Sequence, residues 1–192
     1  MTWAALSALE ESLLHSVQQG ATGFSDAFWT VVTLFGESGI FWIALSLFLM
    51  IPKKTRLMGF AMGLALLSGL IFGNGLMKNL FQRPRPYQAD PELACRLLWI
   101  EMSTDYSFPS GHTLASFEAA WAIFLFRKKW GAVALGAAVM IALSRFFLIV
   151  HYPSDIVFGA LFGILFATLS AFFVRYLCRR FAPDFWERYN GR

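Results

Sequence analysis

Residues 144–177 read SRFFLIVHYPSDIVFGALFGILFATLSAFFVRYL and predict a membrane helix with a polar island at its start. Residues 156–177 are almost entirely apolar and, at about 20 residues, are long enough to cross a bilayer. Arg145, His151 and Asp155 precede them, and ionisable groups at such positions are costly and usually functional. An arginine can neutralise an oxyanion, an imidazole can attack or carry a proton, and a carboxylate can orient that imidazole. This stretch therefore indicates a helical membrane protein with a reactive end.

The composition of the whole chain supports the membrane class. The chain has 192 residues, of which 57% are hydrophobic and only 15% charged, whereas a typical soluble domain has about 25% charged residues. This length suits one helical bundle. The net charge of +4 is modest, and the basic residues match no nucleic-acid-binding motif, so we expect no nucleic-acid partner.

Four further apolar stretches predict an all-α integral membrane bundle of five transmembrane helices. They cover 28–51 with a break at Gly36, 57–77, 110–126 and 131–150. Residues 3–19 combine leucines with Glu10, Glu11 and His15, which favours an amphipathic interfacial helix over a sixth span. The predicted regions are an interfacial segment at 1–24, a membrane domain at 25–180 and a cytoplasmic tail at 181–192.

Basic residues predict how the bundle is oriented. Three clusters lie at 53–56, 127–129 and 175–180. With five spans all three fall on one face, which the positive-inside rule makes cytoplasmic. We therefore expect a multi-pass protein of the cell membrane, with a cytoplasmic C-terminus and its polar islands on the extracytoplasmic face.

A second polar island, at residues 78–86, carries cations on that extracytoplasmic face. Lys78 offers a mobile point charge and Arg85 a planar fork that matches two phosphate oxygens, while the prolines on either side of Arg85 end the helix. The cations on this face are Lys78, Arg83, Arg85, Arg96 and Arg145. They predict an anion-binding cavity, with ordinary basic anchors at helix ends as the alternative. Arg83 is an accessory candidate for which a surface role is an equal alternative.

The third island, Pro-Ser-Gly-His at 109–112, opens a helix. Ser110 suits the N-cap position, and Gly111 removes a side chain where an anion must approach the backbone. Free N–H groups and the helix dipole favour a negatively charged ligand there. His112 in the first turn can protonate a leaving oxygen.

Together and in this order, the three islands resemble the signature motifs of the type 2 phosphatidic acid phosphatase family, over about residues 25–178. The matching positions are Lys78…Arg85-Pro86, Pro109-Ser110-Gly111-His112 and Ser144-Arg145…His151…Asp155. The resemblance implies a membrane lipid phosphatase that needs no metal and no other cofactor. Phosphoryl transfer depends mostly on positioning and charge neutralisation, which three cations and a helix N-terminus can provide.

The resemblance also implies a role for each motif residue. His151 would be the nucleophile that takes the phosphoryl group, Asp155 would hold and polarise it, and His112 would be the general acid. The phosphate oxygens would be bound by Lys78, Arg85, Ser110, Gly111 and Arg145.

The substrate implied by the resemblance is a lipid phosphomonoester or diphosphate. Undecaprenyl diphosphate is favoured and phosphatidylglycerophosphate comes next, with a lipid A-type phosphatase as the alternative. A small anion transporter is the rival from another class, but it predicts polar residues through the bundle, and spans 57–77 and 156–177 are nearly uncharged. Glu118 has either a role in the substrate cavity or a structural one. The loop 87–107 is expected to cover the site without contributing recognisable chemistry.

Overall fold

The computed structural model describes residues 3–98 and 102–190, and every regular element in those ranges is helical. The first two residues of the predicted N-terminal segment and the last two of the predicted tail lie outside these ranges. The elements before the long loop are α1 (Trp3–Gly20), α2 (Gly23–Leu34), α3 (Ile40–Met50), α4 (Arg56–Ser68), α5 (Lys78–Phe81) and α6 (Pro86–Ala89). Those after it are α7 (Gly111–Phe126), α8 (Lys128–Phe147), α9 (Pro153–Phe181) and α10 (Pro183–Asn190).

Four helical segments are long and apolar enough to cross a membrane. They are Gly23–Met50, Arg56–Ala89, Lys128–Phe147 and Pro153–Phe181. The first contains the break predicted at Gly36, where a 3-10 turn at Glu37–Gly39 separates α2 from α3. The second changes to a π-helix over Gly69–Met77. The prediction of an all-α membrane bundle is confirmed, whereas the count of five spans stays a prediction because α7 has only 16 residues.

Helix α7 lies at the centre of the bundle, packed against α4, α8 and α9. Glycines on the neighbouring helices allow this close approach. A Cβ added at Gly163 of α9 would lie 2.8 Å from the carbonyl oxygen of Leu114, and one at Gly131 of α8 would lie 2.1 Å from the Cα of Phe124. Such small-residue contacts are how membrane helices pack closely. The tight packing fixes the N-terminus of α7 relative to the ends of α8 and α9.

The helix connections bring the three motifs to one end of the bundle, which we call the site end. It is formed by α5 and α6, the start of α7, the end of α8 and the start of α9. The predicted basic clusters lie at or near the opposite helix ends. Helix α1 packs across the site end, where Leu14 contacts a buried cluster of Leu93, Ile149 and Tyr152.

Candidate active site

A cavity of about 700 Å³ opens at the site end and brings residues of all three motifs together. Its lining includes Lys78, Arg85, Gly111, His112, Arg145 and His151. The three cations are buried, so their charges are poorly screened by water. Asp155 and Ser110 are also buried but do not line the cavity. Of the eight motif residues to which the resemblance gives a role, six therefore line one space and two lie behind its wall.

His151 turns one ring nitrogen to the cavity side and the other to Asp155. Its Nε2 lies 3.3 Å from Nη1 of Arg85. Its Nδ1 lies 3.2 Å from Oγ of Ser107, which donates a 2.5 Å hydrogen bond to Oδ2 of Asp155. Since an arginine only donates hydrogen bonds, this network favours the tautomer with the proton on Nδ1 and the lone pair on Nε2.

The resemblance implies that Asp155 holds and polarises His151, and in the structure this contact is indirect. The distance from Oδ2 of Asp155 to Nδ1 of His151 is 3.6 Å, which is too long for a hydrogen bond. Ser107 bridges the gap, and the backbone N–H of Tyr152 donates to the same oxygen at 3.0 Å. Ser107 stands two residues before the Pro-Ser-Gly-His motif, and that proximity was the only signal in the sequence.

The other oxygen of Asp155 is held by Arg83, whose Nη1 donates to Oδ1 at 2.5 Å. The alternative of a surface role for Arg83 is wrong, because only 1% of the residue is exposed. Arg83 does not line the cavity. It lies behind His151 and contacts the carboxylate that orients the imidazole.

Asp105 pairs with two cations of the cavity. Its carboxylate forms ion pairs with Lys78 and with Nη2 of Arg85, the latter at 2.5 Å, and Ser103 also donates to it. Burial alone would raise the pKa of Asp105, but the hydrogen bonds from Lys78 and Ser103 outweigh it and hold that pKa well below its ordinary value. The sequence of loop 87–107 carries no recognisable chemistry, but the loop places the carboxylate of Asp105 against two cations of the cavity.

Two arginines that were grouped by sequence have different surroundings. Arg145 lines the cavity, and its Nη1 donates to Oγ1 of Thr33 in α2. Arg96 instead forms a two-pronged ion pair with Asp26, with distances of 2.9 and 2.6 Å. Its predicted part in an anion-binding cavity is wrong, since its charge is matched elsewhere.

Helix α7 begins at the predicted N-cap residue, but the side chains of residues 110–112 make contacts that the sequence did not predict. Ser110 stands at the N-cap position, but its Oγ accepts from Thr113 at 3.1 Å and makes no capping hydrogen bond. A Cβ at Gly111 would lie 2.9 Å from Oδ1 of Asn74, so Gly111 also allows the close packing of Asn74. His112 Nε2 lies 3.2 Å from the carboxylate of Glu37, a partner that the sequence did not single out.

The imidazole of His151 is surrounded by more positive than negative charge. Its burial, followed by the charges of Arg85 and Arg145, lowers the pKa of His151 well below its ordinary value. The ring is therefore neutral at neutral pH. A neutral imidazole with an unprotonated Nε2 is the form that can act as a nucleophile.

Beyond the cations the cavity becomes apolar and runs between α3, α4 and α7. This part is lined by Ile43, Leu47, Met50, Leu66, Leu67 and Leu70. Glu118 also lines the cavity, although only 1% of the residue is exposed, and its carboxylate lies against the backbone of Gly69. Within residues 3–98 and 102–190, the structure contains no group of three or more His, Cys, Asp or Glu side chains arranged to hold a metal ion.

Comparison with known proteins gives several related matches. Residues 54–189 match the model of the PAP2 superfamily. The bacitracin transport permease protein BcrC of Bacillus licheniformis is 36% identical over 147 residues, covering 75% of this chain and 68% of that protein. An undecaprenyl-diphosphatase of Sulfolobus acidocaldarius is 30% identical over 131 residues, covering 67% of this chain and 61% of that protein.

Two solved structures share the fold. One is a transmembrane PAP2-type phosphatidylglycerolphosphate phosphatase from Bacillus subtilis. Its TM-score is 0.71 at 22% identity, covering 90% of this chain and 87% of that one. Aquifex aeolicus LpxE has a TM-score of 0.67 at 25% identity, covering 84% of this chain and 94% of that one. The resemblance read from the three motifs is confirmed: this chain belongs to the PAP2 superfamily and is a lipid phosphatase of the membrane.

Proposed function

We propose that this chain hydrolyses a lipid diphosphate through a phosphohistidine at His151, with undecaprenyl diphosphate as its favoured substrate. The observation that carries the proposal is the position of His151 Nε2, which lies 3.3 Å from Arg85 Nη1 beside a cationic cavity. A phosphoryl group held by Arg85, Lys78 and Arg145 lies within reach of that nitrogen. Its equatorial oxygens carry the charge that the cations neutralise.

In the first step, Nε2 of His151 attacks the terminal phosphorus, and a P–N bond forms as the bond from phosphorus to the leaving oxygen breaks. His112 gives its proton to that oxygen. Glu37, 3.2 Å from His112, and the negative charge of the bound substrate together favour the protonated imidazole before the transfer. Ser107 and Asp155 stabilise the positive charge that develops on His151, because Ser107 accepts from Nδ1 and in turn donates to the negatively charged carboxylate of Asp155.

In the second step, water attacks the phosphorus and the P–N bond breaks. His112, now neutral, takes a proton from the water, which returns it to its starting form. Inorganic phosphate leaves and His151 is neutral again. The three cations and the N-terminus of α7 supply the charge neutralisation, and we propose that the reaction needs no metal.

The charge and shape of the cavity favour a diphosphate on a long hydrocarbon chain. When the substrate displaces the carboxylate of Asp105, three buried cations, Lys78, Arg85 and Arg145, become available, one positive charge more than a phosphomonoester dianion carries. The apolar continuation of the cavity suits an isoprenyl or acyl chain. The name of the relative from S. acidocaldarius, an undecaprenyl-diphosphatase, lends support to a polyprenyl diphosphate.

Substrate and nucleophile are tested with the purified full-length chain in detergent micelles without added metal. Phosphate release is compared as kcat/KM for undecaprenyl diphosphate, phosphatidylglycerophosphate and a lipid A phosphate, and the first should be preferred. A higher kcat/KM for either of the other two would replace the favoured substrate.

The covalent step has its own measurement. Rapid quenching at alkaline pH should trap one phosphoryl group per chain, located by mass spectrometry on His151, and His151→Asn should remove both the adduct and the activity. An adduct on another residue, or undiminished turnover in His151→Asn, would refute the nucleophile.

We further propose that the site end faces the extracytoplasmic side of the cell membrane. The basic clusters at 53–56, 127–129 and 175–180 lie at or near the opposite helix ends, and positive charge is retained in the cytoplasm. In a variant with Cys95 and Cys178 replaced by serine, Ala89→Cys should react with a membrane-impermeant maleimide on intact cells. Lys54→Cys should react only after lysis, and the reverse pattern would invert the orientation.

A further inference from the structure

Glu10 of α1 is a buried carboxylate at the start of α9. Only 6% of the residue is exposed. Its Oε1 accepts from the backbone N–H of Ser154 at 2.5 Å, and its Oε2 accepts from Oγ of Ser154 at 3.1 Å. A carboxylate at a helix N-terminus is stabilised by the free N–H groups and the helix dipole. Glu10 therefore caps the helix whose first turn carries Asp155.

Arg83 joins Glu10 to Asp155. Its Nη2 donates to Oε2 of Glu10 at 2.6 Å, while its Nη1 donates to Oδ1 of Asp155 at 2.5 Å. The guanidinium lies 3.9 Å from the centre of the Tyr152 ring, which fixes its plane. All three ionisable groups are buried, so this triad is weakly screened and sensitive to the loss of any one charge.

Helix α1 also supports the turn that carries His151. Ile149 has a φ of +58°, a left-handed conformation that is strained for a β-branched residue. Its fully buried side chain packs against Leu14 of α1, Leu93 and Tyr152. A strained turn persists only where its surroundings hold it, and α1 forms part of those surroundings.

We propose that Glu10 is a positioning residue for the Asp155–His151 pair, so that α1 completes the active site. This rests on the proposed role of His151 as nucleophile. Without Glu10, Arg83 loses one of its two carboxylates and the first turn of α9 loses its cap. Asp155 and the imidazole it orients through Ser107 then lose their fixed geometry, while the cations that bind phosphate on the cavity side of His151 stay in place.

The test compares Glu10→Gln with Glu11→Gln, its half-buried neighbour on the same helix. Glu10→Gln should lower kcat roughly tenfold, the lower end of the range known for groups that orient metal-binding histidines, and leave KM within about twofold. Glu10→Asp should recover part of the loss because it restores the charge. Glu11→Gln should match the unmodified chain. Equal kcat values for the Glu10→Gln and Glu11→Gln variants would overturn the proposal.

Two further measurements separate positioning from folding and from the proposed function. If Glu10→Gln does not fold, Arg83→Lys replaces it, because lysine keeps the charge but lacks the planar fork whose two nitrogens donate separately to Glu10 and Asp155. An unchanged kcat there overturns the proposal. His151→Asn is measured alongside. Loss of activity in His151→Asn with full activity in Glu10→Gln rejects the positioning role alone, whereas full activity in His151→Asn rejects the proposed function as well.

Discussion

The carboxylate of Asp105 accepts a 2.5 Å hydrogen bond from the guanidinium of Arg85 and forms an ion pair with Lys78. Its backbone carbonyl also accepts from Nε of Arg85 at 3.1 Å. An anionic group of the protein thus lies against the two motif cations that would bind a phosphate. A phosphate that binds them has to displace this carboxylate or lie beside it.

Asp105→Asn should therefore strengthen phosphate binding. The amide keeps the size of the side chain but removes a negative charge that opposes the incoming anion. The inhibition constant of inorganic phosphate should fall roughly tenfold, a size expected for removing one like charge from a partly solvated site. It is measured by product inhibition of lipid diphosphate hydrolysis.

Asp90→Asn is the matched control, because Asp90 belongs to the same loop but pairs with His15 at 2.8 Å, away from the cavity cations. Its inhibition constant should equal that of the unmodified chain. A higher inhibition constant in Asp105→Asn would mean that Asp105 serves instead to order Lys78 and Arg85 for binding.

Ser107→Ala should lower kcat without a comparable change in KM. Ser107 is the link between Nδ1 of His151 and Oδ2 of Asp155, which are 3.6 Å apart. Without it, the imidazole has no direct acceptor for its Nδ1 proton. The loss should be roughly 10- to 100-fold, the range known for groups that orient metal-binding histidines.

Ser116→Ala provides the comparison for Ser107→Ala. Ser116 is equally buried, and its Oγ accepts from Nε1 of Trp42 at 3.0 Å, away from the histidines. Removal of the Ser116 hydroxyl should lower the thermal stability of the protein but leave kcat unchanged. Similar kcat values for Ser107→Ala and Ser116→Ala would show that the bridge is dispensable.

The parts of the site that sequence predicts are those that act within one motif. Lys78 with Arg85 and the pair His151 with Asp155 have fixed spacings, so their patterns are visible in one chain. Asp105 contacts Arg85 across 20 positions, and Ser107 contacts Asp155 across 48. The sequence of a loop does not predict such long-range contacts. Glu10 contacts Ser154 across 144 positions, and such a contact follows from helix packing alone.

The elements of the fold that the sequence predicts are the long apolar helices. Apolar stretches such as 156–177 identify themselves by length, because a bilayer requires about 20 such residues. The sequence does not predict that α1 packs on the site end of the bundle. Leu14 and Glu10 fit an amphipathic helix on a membrane as well as one packed on protein, and only the cluster with Ile149 and Tyr152 distinguishes the two.

The rate should stay high well below the pH at which an ordinary histidine becomes protonated. The attack needs neutral His151, and burial with the charges of Arg85 and Arg145 lowers its pKa well below its ordinary value. Protonation therefore begins to reduce kcat/KM only below about pH 6.5, the ordinary pKa of histidine. The ionisation of the substrate is measured by phosphorus NMR, and the profile of kcat/KM against pH is corrected for it. An acid limb at or above that pH would contradict the assigned environment of His151.

Gly69→Ala should destabilise the protein, and Glu118→Ala in the same chain should restore much of the loss. A Cβ at Gly69 would lie 2.2 Å from Oε1 of Glu118, and such overpacking costs about 1–3 kcal/mol. Gly136→Ala in α8 is the control, because nothing lies within 4 Å of its added Cβ, and alanine favours a helix by about 1 kcal/mol over glycine. Thermal unfolding in detergent should therefore rank Gly136→Ala highest and Gly69→Ala lowest. If the double variant unfolds no later than Gly69→Ala, the glycine is required for some reason other than room for the Glu118 carboxylate.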